Sequence, residues 1–164
     1  MTRGEDVEAP KVIFGRLLND LCTAMTEDKG EPEENLDGFL QYFVRLVNRS
    51  GLEIGITLNV SGLTISGQLI SSKSYFEGLI QEMSSANTDN QVKLAFQEAF
   101  RKIGGIYSQM DDEDDENQTF PTYIHLRNAK MLLTGGQIIR THRGVLWRGR
   151  LSEVDGFCLG SMAG

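Results

Sequence analysis

Alternating apolar and polar residues mark one stretch of the chain as a β-hairpin. Apolar side chains stand at every second position from Leu52 to Val60, which predicts a strand with one buried face. Ser61-Gly62 interrupts the alternation, which resumes over residues 63–69. A short glycine turn between two alternating runs is typical of an antiparallel hairpin, and we expect the rest of the domain to cover or extend it.

Helical periodicity surrounds this hairpin. Apolar residues between positions 39 and 47 form a wide stripe, with Asp37 as the predicted N-cap and Gly51 as the stop. Two more helices are predicted after the hairpin, over residues 74–83 and 92–103. The Gly104-Gly105 pair predicts the end of the last helix.

The pattern of the C-terminal third of the sequence again predicts strands. Residues 123–129 and 145–151 alternate, and Asp155-Gly156 is a hairpin signal that introduces a fifth strand over residues 157–160.

Gly67 and Gly149 fall inside predicted strands, at positions where sheets often bend. The predicted fold class is therefore α+β: a small antiparallel sheet, or a partly open small β-barrel, of about five strands covered by two or three helices.

The chain divides near position 35. Residues 1–35 are predicted to be an acidic extension with a short amphipathic helix and a linker, and residues 36–164 the main domain with an acidic loop at 111–116. The apolar face of the extension's helix includes Ile13, Leu17 and Leu21. That helix either packs on its own domain or docks on another copy or another protein.

Charge is unevenly distributed along the chain. The formal net charge is −7, and residues 1–37 hold ten acids against four bases. A second acidic segment, predicted to be extended by mutual repulsion, comprises Asp111, Asp112, Glu113, Asp114, Asp115 and Glu116. Residues 117–152 hold six bases and no acid. The overall charge favours solubility and argues against a general nucleic-acid-binding surface.

Catalytic and metal-binding patterns are not found in the sequence. The two His and two Cys do not fall at metal-ligand spacing, and the glycine pairs lack the Lys-Ser/Thr that a phosphate loop requires. His125 and His142 have no adjacent nucleophile with an orienting acid. We expect no cofactor, no metal, no membrane span, and a cytoplasmic protein with reduced cysteines.

Basic and aromatic residues cluster in the C-terminal strands. The predicted basic face comprises Arg127, Arg140, Arg143, Trp147, Arg148 and Arg150. Arginine beside an aromatic ring on a small barrel is one way to bind RNA, with a likeness to Sm-like domains in architecture only. The alternative is that Trp147 is buried and that the arginines pair with the protein's own carboxylates.

Several separated blocks resemble one known family. These blocks are Ile56–Val60 with Gly62, Gly67, Leu69–Ser71 and Tyr75-Phe76, then Tyr123–Ala129, Gly144–Ser152 and Asp155–Gly160. In this order they resemble the accessory U proteins of bacterial gas vesicle clusters, over roughly residues 36–162.

The resemblance implies a non-enzymatic accessory protein that associates with gas vesicles and promotes their clustering through self-association and shell contact. Its partners would be the gas vesicle shell protein and further copies of itself, with no lipid membrane and with nucleic acid unlikely. The basic face and the acidic segment would supply weak contacts between copies. An RNA-binding small-barrel protein is the alternative function.

Overall fold

The computed structural model describes residues 36–112, 120–133, 138–139 and 144–162. Its helices are α1 (Gly38–Ser50), α2 (Ser72–Ser85) and α3 (Asn90–Asp112), and its strands are β1 (Ile54–Val60), β2 (Leu63–Ile70), β3 (Tyr123–Leu132), β4 (Ile138–Ile139), β5 (Val145–Arg150) and β6 (Gly156–Leu159). All strand pairs are antiparallel and belong to one sheet, which confirms the α+β prediction.

Helix α1 begins and ends where its capping residues predict. The Asp37 carboxylate accepts a hydrogen bond from the backbone N–H of Leu40 at 3.1 Å, which satisfies one of the unpaired donors of the first turn. Gly51 adopts a left-handed conformation with φ 66°, and its N–H donates to the Val47 carbonyl at 2.9 Å. The apolar stripe between these caps is buried.

Strands β1 and β2 form the predicted hairpin. Their register pairs Val60 with Leu63, so Ser61 and Gly62 make a two-residue turn. Both turn residues have positive φ, at 51° and 79°, as the hairpin turn that matches strand twist requires.

The sheet runs β5, β3, β2, β1, β6, with the short β4 beside the far end of β3 on the same side as β5. A flat sheet would put about 19 Å between β5 and β6. The link from Arg150 to Gly156 contains a 3-10 helix (Leu151–Glu153) and reaches only about 16 Å. The sheet must therefore be curved.

The curved sheet does not close into a barrel. Strands β5 and β6 are its two edges, and no pairing joins them in the described part of the chain. Of the two predicted forms, the open antiparallel sheet is the observed one.

The hydrophobic core lies between α1 and one face of this sheet. Buried residues of α1 pack on alternate residues of the central strands, which is the arrangement that both periodicities predict. The core comprises Leu40, Phe43, Val44, Leu46, Val47, Ile56, Leu58, Ile65, Leu69, Ile124, Leu126, Ala129 and Leu151.

The glycine pair in α3 does not end the helix, so that prediction is wrong. Helix α3 continues from Gly104-Gly105 to Asp112, which also places Asp111 and Asp112 in the helix rather than in an extended loop. Gly104 is buried where α3 crosses α2, and a Cβ there would lie 3.0 Å from the Phe76 Cβ. Close packing of the two helices offsets the roughly 1 kcal/mol that glycine costs inside a helix.

The Asp155-Gly156 hairpin prediction is also wrong. The two residues lead into β6, which pairs with β1 instead of β5. The Asp155 N–H donates to the Asn59 carbonyl at 2.8 Å, and its carboxylate accepts from the Ser61 N–H at 2.6 Å. Asp155 thus anchors the incoming strand to the β1–β2 turn.

Candidate functional site

The face of the sheet opposite α1 holds a mixed cluster of basic, aromatic and imidazole side chains. Strands β3 and β5 pair His125 with Arg148, and Tyr123 with Arg150. His125 alternates with the core residues Ile124 and Leu126, so its side chain lies on the other face. The hairpin formed by α2 and α3 packs over β3 and β5 on this face of the sheet.

Arg148 joins the sheet to α3. Its guanidinium carbon lies 3.7 Å from the centroid of the Tyr123 ring and 5.4 Å from that of Tyr107. One terminal nitrogen donates to the Tyr107 hydroxyl at 2.6 Å. The Nε atom is buried without a hydrogen-bond partner in the described structure. Cation–π attraction and a charged hydrogen bond therefore hold this arginine inside the fold.

His125 is buried among aromatic rings. Its side chain is 2% exposed, and its ring centroid lies 4.6 Å from that of Tyr75 and 6.3 Å from that of Phe76. Burial, with the nearby Arg148 charge, lowers the pKa of His125 to about 3, and the imidazole is neutral at ordinary pH. Neither ring nitrogen has a hydrogen-bond partner among the described residues. Burial also raises the pKa of Tyr75.

The predicted basic face is divided between the two faces of the sheet. Arg127 is about two-fifths exposed, and one of its terminal nitrogens lies 2.6 Å from a carboxylate oxygen of Glu53. Arg150 is exposed, and Arg148 is held as described above. Trp147 is partly buried against the core on the opposite face. The structure thus brings Arg127 and Arg150, but not Trp147, to the surface on this side.

Other predicted site residues lie outside the described residues. These are Arg140 and Arg143 of the basic face, Glu113, Asp114, Asp115 and Glu116 of the acidic segment, and Ile13, Leu17 and Leu21 of the N-terminal segment.

A groove of about 350 Å³ lies beside the mixed cluster, and sequence reasoning missed it. Its walls are Ile103, Ile106 and Tyr107 of α3, and Phe120 and Pro121 before β3. His125 also lines the groove. The spacing of Ile106 and Tyr107 from Ile103 continues the helical apolar period, and this was the available signal.

The described residues contain no group of three or more His, Cys, Asp or Glu side chains that could hold a metal ion. None of the described helices is long and apolar enough to cross a membrane.

Comparison with known protein families identifies a match over most of the chain. A family model described as "Gas vesicle protein GvpU-like" matches residues 37–162, about three quarters of the chain. No curated protein and no solved structure matches this chain. The resemblance in the sequence blocks is thereby confirmed.

Proposed function

Because the chain belongs to the gas vesicle protein GvpU-like family, we propose that it is a non-enzymatic accessory protein that associates with gas vesicles in the cytoplasm and promotes their clustering or assembly. In this proposal it contacts the shell protein and other copies of itself through many weak interactions. The observation that supports the proposal is the family match over residues 37–162.

The charge pattern of the chain supports the self-association part of the proposal. The acidic extension and the acidic segment 111–116 of one molecule would meet exposed arginines of another. Exposed ion pairs contribute about 1 kcal/mol or less each, so assembly would depend on the number of contacts. Added salt would weaken it, because salt screens exposed charges.

The geometry narrows the set of arginines that the proposal uses. Arg150 is exposed and the Arg127 side chain is about two-fifths exposed. The Arg127–Glu53 pair is partly solvated and contributes little, so its members can exchange partners at little cost. Arg148 and Trp147 pack within the domain and are assigned to its folding. Arg140 and Arg143 stay in the proposal on the strength of the sequence.

RNA binding by the basic strands is the less favoured function. A base would need an exposed aromatic or guanidinium plane to stack on. Arg148 already stacks on Tyr123, and Trp147 faces the core. Purified protein that carries nucleic acid through high-salt washing would favour this alternative.

Flotation with intact gas vesicles tests the proposal. We expect the protein to rise with the vesicles and to clump them, with clumping that decreases between low and molar salt. The double charge reversal Arg127→Glu/Arg150→Glu should reduce clumping several-fold. The matched single reversals are Arg150→Glu and its control Lys73→Glu, which makes the same charge change at an exposed helical position and should have a smaller effect.

Each part of the proposal can fail separately. Protein that stays in the lower fraction would contradict vesicle association. Clumping that is indifferent to salt would contradict the electrostatic contacts while leaving association intact.

A further inference from the structure

Helix α3 exposes a row of apolar residues along one face. Val92, Phe96, Ala99, Ile103 and Ile106 follow each other at steps of three and four, so they share one side of the helix. The four larger ones are 40–53% exposed. Single exposed apolar residues are ordinary, but a continuous row indicates a surface that something covers. We refer to these five residues as the α3 stripe.

The C-terminal end of the α3 stripe opens into the 350 Å³ groove, because Ile103 and Ile106 belong to both. Phe120 and Pro121 also line the groove and contact the first turns of α1. The Gln41 side-chain amide donates to the Pro121 carbonyl at 3.1 Å, and the Tyr42 and Phe120 ring centroids lie 5.1 Å apart. The chain that precedes α1 therefore enters the domain close to the groove.

We propose that residues 12–21 dock on the α3 stripe and its groove within the same molecule. Ile13, Leu17 and Leu21 recur every fourth residue, the spacing by which an amphipathic helix inserts anchors into an apolar groove. This segment precedes the residues that the family model matches. The proposed function uses the acidic residues of the extension but not its apolar face, so the inference does not rest on that function.

The connecting chain is long enough for this docking. Residues 22–35 span up to about 45 Å when extended. A helix of 23 residues, the length of α3, is about 34 Å long. The segment can therefore reach any part of the stripe from the start of α1.

Charge and tethering favour docking within one molecule. Residues 1–35 hold nine acids and four bases, whereas α3 along the stripe, over residues 92–106, carries Lys93, Arg101 and Lys102 against Glu98. The two further acids of α3, Asp111 and Asp112, lie beyond the stripe at the end of the helix. A tether of this length gives an effective concentration of about millimolar. The tethered segment should therefore bind α3 in preference to the same segment of a second copy, whose concentration is lower.

Photo-cross-linking in the full chain tests the proposal. A photo-reactive phenylalanine analogue replaces Leu17, and the same analogue at Asn19 on the opposite helix face is the control. A mixture of ¹⁴N- and ¹⁵N-labelled protein separates adducts within one molecule from adducts between two. We expect position 17, but not position 19, to join residues 92–107 with a single isotope label.

Two outcomes would overturn the proposal. Adducts that contain both isotopes would assign the stripe to a second copy, and adducts elsewhere or to foreign protein would remove α3 as the docking surface. Equal labelling of α3 from positions 17 and 19 would count against the proposed helix face.

Hydrogen exchange supplies a second, independent measurement. Leu17→Asp should raise exchange of α3 amides about tenfold, the change expected for losing one buried leucine anchor. Asn19→Asp adds the same charge on the other face and should leave exchange unchanged. Both substituted residues lie outside residues 36–162, and Trp147 packs against the core that α1 covers, so Trp147 fluorescence should stay the same in both variants. Equal exchange in the two variants would contradict docking.

Discussion

On one face of the sheet, α1 packs on the strands and forms the buried hydrophobic core with them. On the other face, the α2–α3 hairpin packs through a few polar and aromatic contacts. Leu40, Val44 and Val47 of α1 are at most 1% exposed. In α2 the buried residues are Ser72 and Phe76, and among the described residues the larger side chains of the α3 stripe are 40–53% exposed. One side of the domain thus holds the hydrophobic core, and the other carries apolar and charged surface that the described residues leave uncovered.

Removal of a core side chain should reveal the largest difference between the two helical layers. Leu40→Ala should lower the free energy of unfolding by about 3 kcal/mol, because it deletes fully buried carbons and leaves a cavity. Leu94→Ala makes the same change on α3, where the side chain is 64% exposed, and should cost less than about 0.5 kcal/mol. Urea unfolding of both variants measures the contrast, and equal losses would contradict it.

Replacement of the buried imidazole should have the next largest effect, and the effect depends on pH. The pKa of His125 falls from 6.5 in the unfolded chain to about 3 in the folded one. Below pH 6.5 the unfolded state therefore binds more protons, and stability falls as pH decreases toward 3. Between pH 7 and pH 5 this protonation should lower the free energy of unfolding of the wild type by about 2 kcal/mol. The His125→Leu variant should not show that loss.

The same variant should be no less stable than the wild type at pH 7, because it removes two buried nitrogens that lack partners. Urea unfolding at pH 7 and pH 5 measures both quantities. If the free energy of unfolding changes with pH in His125→Leu as much as it does in the wild type, the imidazole is solvated or hydrogen-bonded in solution.

The well-predicted parts of the fold are those that local sequence determines. The Asp37 cap, the β1–β2 turn and the alternation of β3 each depend on residues close together in the chain. The failures depend on distant partners. Gly104 stays helical because Phe76 packs against it, and Gly156 begins a strand whose partner is Asn59.

The candidate site was less predictable than the fold for a related reason. Alternation correctly places Arg148 and Arg150 on the same strand face, but it does not show which part of that face a helix covers. Tyr107 lies beyond the glycine pair that predicted the end of α3, so the partner of Arg148 was missed. The apolar period of residues 92–103 predicts the helix, but amphipathic periodicity alone does not reveal whether the apolar face is covered.

The smallest expected effect comes from comparing Arg148, which is held inside the fold, with Arg150, which is exposed on the same strand. Arg148→Met keeps a long, flexible side chain but removes the hydrogen bond to Tyr107 and the cation–π contact with Tyr123. We expect a loss of about 1.5 kcal/mol, since the buried, unpartnered Nε offsets part of the gain from those contacts. Arg150→Met removes an exposed charge and should cost less than about 0.5 kcal/mol. Urea unfolding measures both losses.

Amide exchange localises the effect of the Arg148 change. Because Arg148 links β5 to α3, its loss should raise exchange in α3 more than in α1. The pKa of His125 should rise at the same time, because the positive charge that helps to lower it is gone. A uniform increase across α1 and α3 would mean that the two layers unfold together, and the division between a stable core face and a loosely held interaction face would then be wrong.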